Sequence, residues 1–244
     1  MCTVSFYRDK SKVIVTSNRD EKSIRPLAIA PRQYRFNNQH LYFPKDPQAG
    51  GSWFIVKADG SAFVLLNGAE KKHIPQPPYK KSRGLILLEI ADSSHYLEQW
   101  NTMDLEQIEN FTVIAYANNK LAQLQWNGTT KTHLYLDENK AHIWSSTTLY
   151  DEPTIEKRQQ WYFDFLSKKN NDANSSDIMD FHTKTQNHDT ENGLIINRPT
   201  AMLTKNVTQV VIEHDNFEIH HLDLVKNIKT TLKNHRNDNL VAQV

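Results

Sequence analysis

The sequence predicts an α+β protein in which antiparallel sheets are layered against helices. Strand-like segments rich in β-branched and aromatic residues follow one another in runs, and the helical segments stand between these runs. A doubly wound parallel sheet needs strands and helices to alternate, so the segregated order favours antiparallel layers. With 244 residues, 38% of them hydrophobic, the chain is long enough for one globular domain or two small ones.

The first two strand-like segments predict a hairpin at the start of the chain. Segments 3–7 and 13–17 are apolar and β-branched, and the polar residues 8–12 separate them. An antiparallel register centred on this polar stretch places Cys2 opposite Asn18. We therefore expect the start of the chain to lie beside the charged residues that follow Asn18.

A second hairpin is predicted from segments 52–57 and 61–66. They flank an Asp-Gly pair, which favours a tight two-residue turn. That turn places Ser52 opposite Asn67. We therefore expect Gly51 and Ser52 to lie near Asn67 at the open end of the hairpin.

The remaining elements follow from the same patterns. Further strands are predicted at 111–117, 121–126, 132–136, 141–146, 208–213 and 217–224. Helices are predicted at 82–91, 94–100, 104–110 and 153–167, the last with a proline in its first turn. The polar stretch 168–192 is interpreted as a surface excursion, and the last residues, 226–244, as a helix or a frayed tail.

Composition excludes several classes of function. Lysine and arginine number 29 against 28 acidic residues, so the net charge of +1 gives no global field for nucleic acid or an anionic membrane. The single cysteine rules out internal disulfides and cysteine-based metal cages, and seven glycines argue against a glycine-rich phosphate loop. No apolar run approaches the roughly 20 residues of a membrane span, and the start lacks the order of a signal peptide. We expect a cytoplasmic protein without an integral membrane segment.

The single cysteine, Cys2, directly follows Met1. Removal of Met1 leaves an α-amine and a thiol on the same residue. The ordinary pKa is about 8 for an α-amine and about 8.5 for a thiol, so the amine can take the proton of the nucleophile beside it. The alternative is a cysteine that merely packs in the interior or lies exposed as a bystander.

The charged sequence after Asn18 provides partners for this nucleophile. In the predicted register Cys2, Asn18 and Asp20 share one face of the hairpin, and Arg19 points to the other. Asp20 can orient the α-amine, and Arg19 can lower the thiol pKa or hold an anionic group of a substrate. The alternative interpretation is a solvated charged turn after a strand.

The open end of the second hairpin predicts an oxyanion site. A side-chain amide at Asn67 beside the backbone N–H groups of Gly51 and Ser52 supplies the donors that a developing negative charge needs. Two ordinary strand ends with common turn residues are the alternative.

Together, these motifs resemble the NRDE family, also called the transport and Golgi organisation protein 2 family. The resemblance rests on Met1-Cys2, Ser17-Asn18-Arg19-Asp20-Glu21, Arg25-Pro26, Ala49-Gly50-Gly51-Ser52-Trp53, Leu65-Leu66-Asn67-Gly68 and Ser82-Arg83-Gly84. It implies an N-terminal nucleophile hydrolase fold, a four-layer αββα sandwich of two antiparallel sheets, in a single domain over residues 1–244. The NRDE family is similar to the choloylglycine hydrolase and penicillin V acylase group, in which an N-terminal cysteine attacks an amide.

The resemblance also implies roles for ten residues. Cys2 is expected to be the nucleophile, Arg19 and Asp20 its catalytic partners, and Asn67 an oxyanion donor. Substrate contacts are expected from Asn18, Gly51, Ser52, Trp53, Ser146 and Lys205. The chain departs from the family pattern at the last two positions, where Ser146 replaces an asparagine and Lys205 stands where an arginine is expected.

These expectations lead to a hydrolase of a carbon–nitrogen bond in a small acylated substrate, and they leave alternatives open. One is a non-catalytic binding or trafficking protein that holds haem or a lipid in the same pocket. A glutamine amidotransferase domain also begins Met-Cys, but it continues Gly-Ile where this chain has Thr3-Val4.

No cofactor is expected, and because the eleven histidines show no metal-ligand spacing, no metal is expected either. The partner is a small molecule or hydrophobic ligand rather than nucleic acid, and the oligomeric state is open.

Overall fold

A computed structural model of the chain describes residues 3–37, 39–214 and 216–235. The strands are β1 Thr3–Asp9, β2 Lys12–Lys22, β3 Ile29–Phe36, β4 Gln39–Lys45, β5 Phe54–Lys57, β6 Ala62–Asn67, β7 Phe111–Ala117, β8 Lys120–Trp126, β9 Lys131–Leu136, β10 His142–Ser145, β11 Asn197–Arg198, β12 Met202–Glu213, β13 Asn216–Asp223 and β14 Ile228–His235. The helices are α1 Arg83–Asp92, α2 Tyr96–Thr102, α3 Glu152–Lys168 and α4 Ser175–Lys184.

The strands form two antiparallel sheets. Sheet A has the order β10-β1-β2-β12-β13-β14, with β11 paired to β12, and sheet B runs β3-β4-β5-β6-β7-β8-β9. Helix α1 contacts β4, β5 and β6 of sheet B, whereas α3 and α4 contact β10, β2 and β12 of sheet A. The chain therefore adopts the predicted α+β fold with two sheets between helical layers.

Two apolar cores hold these layers together. The larger core joins the facing sides of the sheets, with residues such as Phe6 and Phe54, and continues to Trp100 of α2. The smaller core lies between sheet A and helices α3 and α4, around Tyr162 and Phe181. Alternation along β1 explains both, since even-numbered residues such as Phe6 enter the first core while odd-numbered residues face the helices.

The register predicted for the first hairpin is wrong by one residue. Thr3, rather than Cys2, pairs with Asn18, because the strands extend as far as Asp9 and Lys12 and leave a two-residue turn. The turn residue Lys10 has a positive φ of 22°. A polar stretch does not mark the end of a strand when its residues lie on the exposed outer part of a hairpin.

The predicted pairing of Ser52 with Asn67 is also wrong by one residue. Phe54 pairs with Val64, and the turn contains three residues because the Lys57 N–H donates to the Ser61 carbonyl at 2.8 Å. Gly60 closes this turn with a φ of 81°, as in a type I turn followed by a glycine bulge. An Asp-Gly pair fits this three-residue loop as well as the two-residue turn.

Three of the four predicted helices form close to their predicted bounds, and the fourth, at 104–110, is absent from the described structure. The prediction for 168–192 is wrong in part, because α4 lies within that stretch. Asn174 caps α4 in a capping box with Asp177, and the apolar residues Ile178 and Phe181 are buried against sheet A. The predicted final helix or tail is strand β14 as far as residue 235.

Candidate active site

The side chains of β2 that follow Ser17 alternate between the two sides of sheet A. Asn18 and Asp20 face the helical side, whereas Arg19 points toward sheet B and the ring of Trp53. This is the opposition that strand alternation predicts. Cys2 lies outside the described residues.

Arg19 is a buried cation, with 2% of its surface exposed. Its guanidinium carbon lies 4.6 Å from the centre of the Trp53 ring, and Nη2 lies 2.8 Å from Asp46 Oδ2 and 3.5 Å from Glu21 Oε2. The pKa of Arg19 is lowered, because burial outweighs the opposite effect of the Glu21 and Asp46 carboxylates. A guanidinium nevertheless stays charged in proteins. Nη1 is buried and has no hydrogen-bond partner among the described residues, so the cluster retains one unsatisfied donor.

Asp46 positions this guanidinium. Its Oδ2 accepts from Arg19 Nη2 at 2.8 Å and from Arg25 Nε at 3.1 Å, while Oδ1 accepts the N–H groups of Gln48 and Ala49 at 2.9 and 3.0 Å. Burial alone raises the pKa of Asp46, but these N–H groups and the two arginines outweigh it, and the pKa falls below its ordinary value. The carboxylate therefore stays ionised and fixes the orientation of Arg19.

Lys205 is the residue at which β12 bulges, since the register with β2 shifts between Thr204 and Asn206. Its Nζ donates to the backbone carbonyls of Ser23, at 2.9 Å, and Arg25. Burial, followed by the charge of Arg19, lowers the pKa of Lys205. The ammonium thus clamps the turn that follows β2.

Asp20 connects sheet A to a cavity through Tyr150. The Tyr150 hydroxyl donates to Asp20 Oδ2 at 2.8 Å, and Thr204 Oγ1 donates to Oδ1 at 2.5 Å. Two guanidinium groups, those of Arg158 and Arg198, lie 3.6 and 5.0 Å from the centre of the Tyr150 ring. Both oxygens of the Asp20 carboxylate are therefore hydrogen-bonded, and Tyr150 links this carboxylate to the cavity lining.

The cavity has a volume of about 520 Å³ and lies where the ends of β6 and β10 meet. A volume of this size suits a small organic ligand. Ser145, at the end of β10, lines the cavity and pairs with Thr3, the first residue of β1. Its apolar walls come from Leu66, Ile143, Trp144, Tyr150 and Ile155, and its polar lining includes Asn67, Lys71, Lys72, Thr112, Gln125, Asp151, Glu152 and Gln159.

Asn67 lines this cavity at the end of β6. Its backbone carbonyl accepts from Ser146 Oγ at 2.7 Å, and the same hydroxyl lies 2.8 Å from Thr148 Oγ1. The side-chain amide of Asn67 makes no hydrogen bond within the described part of the chain. The amide is therefore available to a ligand, whereas the Ser146 hydroxyl is engaged by the protein.

None of the six predicted substrate contacts lines this cavity, and three of them, Gly51, Ser52 and Trp53, precede β5. A Cβ on Gly51 would lie 2.4 Å from the backbone carbon of Gly84, so the glycine permits α1 to approach. Ser52 Oγ donates to the backbone carbonyls of Pro44 and Phe54 at 2.7 and 3.0 Å. In the structure these residues support the loop before β5.

Asn18 is a buried structural amide. Its Nδ2 donates to the carbonyls of His182 and Leu194 at 3.1 and 2.7 Å, and its Oδ1 lies 2.5 Å from His182 Nδ1. The other ring nitrogen of His182 lies 2.7 Å from Ser5 Oγ. Burial is the main cause that lowers the pKa of His182, to about 3, so the imidazole is neutral and orders the contact between α4 and sheet A.

Sequence reasoning missed Tyr150, Asp46 and the cavity walls, because their partners are far away along the chain. Within residues 3–37, 39–214 and 216–235, His, Asp and Glu side chains form no cluster that could hold a metal ion. The longest helix, α3, has 17 residues and is rich in charge, and none of the helices described could serve as a membrane span.

The two stacked sheets and the flanking helices define an N-terminal nucleophile hydrolase fold. A Caenorhabditis elegans N-acylethanolamine-hydrolysing acid amidase orthologue is similar, with a TM-score of 0.59 and 10% identity over 85% of this chain and 92% of that chain. A mutant conjugated bile acid hydrolase from Clostridium perfringens gives 0.52, also at 10% identity, over 97% and 98% of the two chains. At this identity the likeness shows the fold alone. No curated protein sequence matches the chain. The family model for Transport and Golgi organisation 2 matches residues 1–228, and the chain belongs to that family.

Proposed function

We propose that the chain is a hydrolase that uses Cys2 as an N-terminal nucleophile to cleave the carbon–nitrogen bond of a small acylated amide. The observation that carries the proposal is the cavity of about 520 Å³ that ends at the Asn67 amide and at Ser145. Ser145 pairs with Thr3, the residue that follows Cys2 in the sequence. A free amide donor and the start of β1 therefore meet at one end of the cavity.

In the proposed reaction, loss of Met1 gives Cys2 a free α-amine, which takes the thiol proton. The sulfur attacks the amide carbon, and the tetrahedral oxyanion accepts a hydrogen bond from Asn67 Nδ2. The carbon–nitrogen bond breaks as the α-ammonium returns its proton to the leaving amine. Water, deprotonated by the same α-amine, then hydrolyses the thioester and regenerates the thiol.

The charged partners act on this nucleophile from two sides of sheet A. The buried Arg19 cation, held by Asp46, favours the thiolate, and we assign this role to its unsatisfied Nη1 donor. Asp20, fixed by Tyr150, orients the α-amine. The apolar part of the cavity lining suits an acyl chain, and its lysine, aspartate and glutamate side chains suit the polar part of the substrate.

The test uses intact mass and turnover of fluorogenic amides with medium-length acyl chains. Met1 should be absent, Cys2→Ala should abolish turnover, and Asn67→Ala should lower kcat by about 10²-fold to 10³-fold. Gln33→Ala, an exposed residue on the end strand β3 of sheet B that does not line the cavity, should leave kcat unchanged. Retained Met1, or turnover by Cys2→Ala, contradicts the proposal.

A binding protein for haem or a lipid is the second candidate for the same cavity. It is favoured by Ser146, whose hydroxyl is engaged by the Asn67 carbonyl at 2.7 Å and offers a substrate no side-chain amide. Titration with hemin and with fatty-acyl ligands distinguishes the candidates. Tight binding by wild type and Cys2→Ala alike, without turnover of any amide, supports the binding protein.

A further inference from the structure

Three turns that project exposed isoleucine and valine side chains lie at the cavity end of the molecule. β2, β6 and β13 end at Lys22, Asn67 and Asp223, and the turns after them carry the exposed residues. Thr3 pairs with Asn18, and Ser146 Oγ bonds the Asn67 carbonyl, so the ends of β2 and β6 lie on the same side of the fold. The ends of β2 and β13 are joined through β12, the strand between them.

The first of these turns is held by several hydrogen bonds, although its tip is almost fully exposed. Ile24 has 87% of its surface exposed, the largest value among the large apolar residues described. Ser23 N–H donates to the Ala201 carbonyl at 2.7 Å, Arg25 N–H donates to Lys22, and Lys205 holds the carbonyls on both sides of Ile24. An isoleucine on a turn fixed by this many bonds is held away from the protein.

The other two turns repeat this combination of apolar tip and lysine. Ile74 is 85% exposed and lies in the irregular segment after β6, two residues beyond Lys72, which lines the cavity. Val225 is 51% exposed in the turn after β13, and Ile228, the first residue of β14, is 52% exposed. Asp223 Oδ1 orders this turn by accepting the Val225 N–H at 3.0 Å.

The charge of these turns differs from that of the whole chain. Segments 21–25, 70–74 and 223–229 hold six lysine or arginine residues against three acidic ones, whereas the whole chain has a net charge of +1. Five exposed lysines in them form no ion pair with the described residues: Lys22, Lys71, Lys72, Lys226 and Lys229. Two of the three acids are engaged, since Glu21 lies near Arg19 and Asp223 accepts backbone N–H groups. The local field therefore favours an anionic surface.

We propose that this end of the molecule docks on an anionic lipid surface, with Ile24, Ile74 and Val225 inserted among the headgroups and the unpaired lysines against lipid phosphates. Apolar tips on separate turns, spaced by lysines, suit an interface that is soft and anionic. The five unpaired lysines provide the charge complementarity that favours an anionic bilayer as the occupant of this surface. Docking is independent of the hydrolase chemistry, and it brings the cavity mouth to the source of an acyl substrate.

The test is co-sedimentation of the full chain with vesicles of phosphatidylcholine alone, or with about 30% phosphatidylserine. Wild type should sediment with the anionic vesicles, and raising the salt from about 0.1 M to about 1 M should release it. Ile24→Ser with Ile74→Ser should weaken binding about tenfold. Phe163→Ser, which removes a side chain 48% exposed on α3, is the matched control and should bind as wild type does.

Several outcomes overturn the proposal. They are a wild type that stays in the supernatant with both vesicles, equal binding to neutral and anionic vesicles, and an equal loss of binding in the Phe163→Ser control. A self-association measured without vesicles and abolished by the isoleucine variant would assign the surface to a second copy of the chain instead. Because no substrate is present, none of these results depends on whether Cys2 is a nucleophile.

Discussion

Removing the charge of Asp46 is the most informative single perturbation of the site. In Asp46→Asn, Oδ1 can still accept the N–H groups of Gln48 and Ala49, but an amide N–H replaces the oxygen that now accepts from Arg19 and Arg25. The buried Arg19 and the partly exposed Arg25 then lose their shared anion and face a donor. Breaking a buried pair costs about 3–5 kcal/mol, which corresponds to a fall in Tm of about 6–20 °C for a chain of this size.

The free energy of unfolding is measured by urea denaturation, with tryptophan fluorescence as the signal. The matched control is Glu213→Gln, which removes the carboxylate of an exposed pair with Lys12 at 3.2 Å and should cost about 1 kcal/mol or less. The pKa of Asp46 is lowered in the folded state, so its stabilisation is present above the unfolded pKa and is lost as the pH falls through the folded pKa. The variant should lack this loss in acid. If Asp46→Asn costs no more than Glu213→Gln, Asp46 does not hold the guanidinium as described.

Three further predictions concern stability and the site. The pKa of His182 is lowered to about 3 in the folded state, so the unfolded chain binds the proton first as the pH falls. The free energy of unfolding should therefore decrease below about pH 6.5, by roughly 2–3 kcal/mol at pH 4.5. In His182→Gln this part of the pH dependence, followed by circular dichroism, should vanish. Gly51→Ala should lower the Tm, because its Cβ would meet the Gly84 backbone at 2.4 Å and overpacking costs about 1–3 kcal/mol; an unchanged Tm would show that α1 can shift freely. Tyr150→Phe removes the donor to Asp20 at 2.8 Å and should cost about 1–3 kcal/mol in urea and lower kcat, whereas equal turnover in both proteins excludes a role for this bond.

Layering could be predicted from the sequence because it depends on local pattern. The runs of alternating and β-branched residues identify most strands, and segregation of helices from strands identifies the α+β class. Register could not be predicted, because a turn of two or three residues is compatible with the same Asp59-Gly60 pair, and one residue of difference moves Ser52 away from Asn67. Helix α4 was missed because only a few apolar residues suffice when the helix covers one patch of sheet A.

Features that depend on local pattern could be predicted from the sequence, and contacts between distant residues could not. The face on which Arg19 lies follows from alternation along β2, and Asn67 was identified by its place at a strand end. Asp46 and Tyr150 had no such signal, since their contacts with Arg19 and Asp20 join residues 27 and 130 positions apart. Burial also changed the interpretation of Lys205, whose ammonium is bound to backbone carbonyls rather than exposed to the cavity.

The claim that Cys2 is the nucleophile is tested most directly by trapping the acyl-enzyme. The mature chain is mixed with an activated acyl amide, quenched in acid and digested with pepsin at the same low pH, and the N-terminal peptide is weighed. Low pH keeps the α-amine protonated, so that it cannot take the acyl group from the sulfur. We predict that this peptide lacks Met1 and carries the mass of one acyl group on Cys2, which hydroxylamine removes. A peptide that keeps Met1, or an acyl group found on any other residue, would contradict the account.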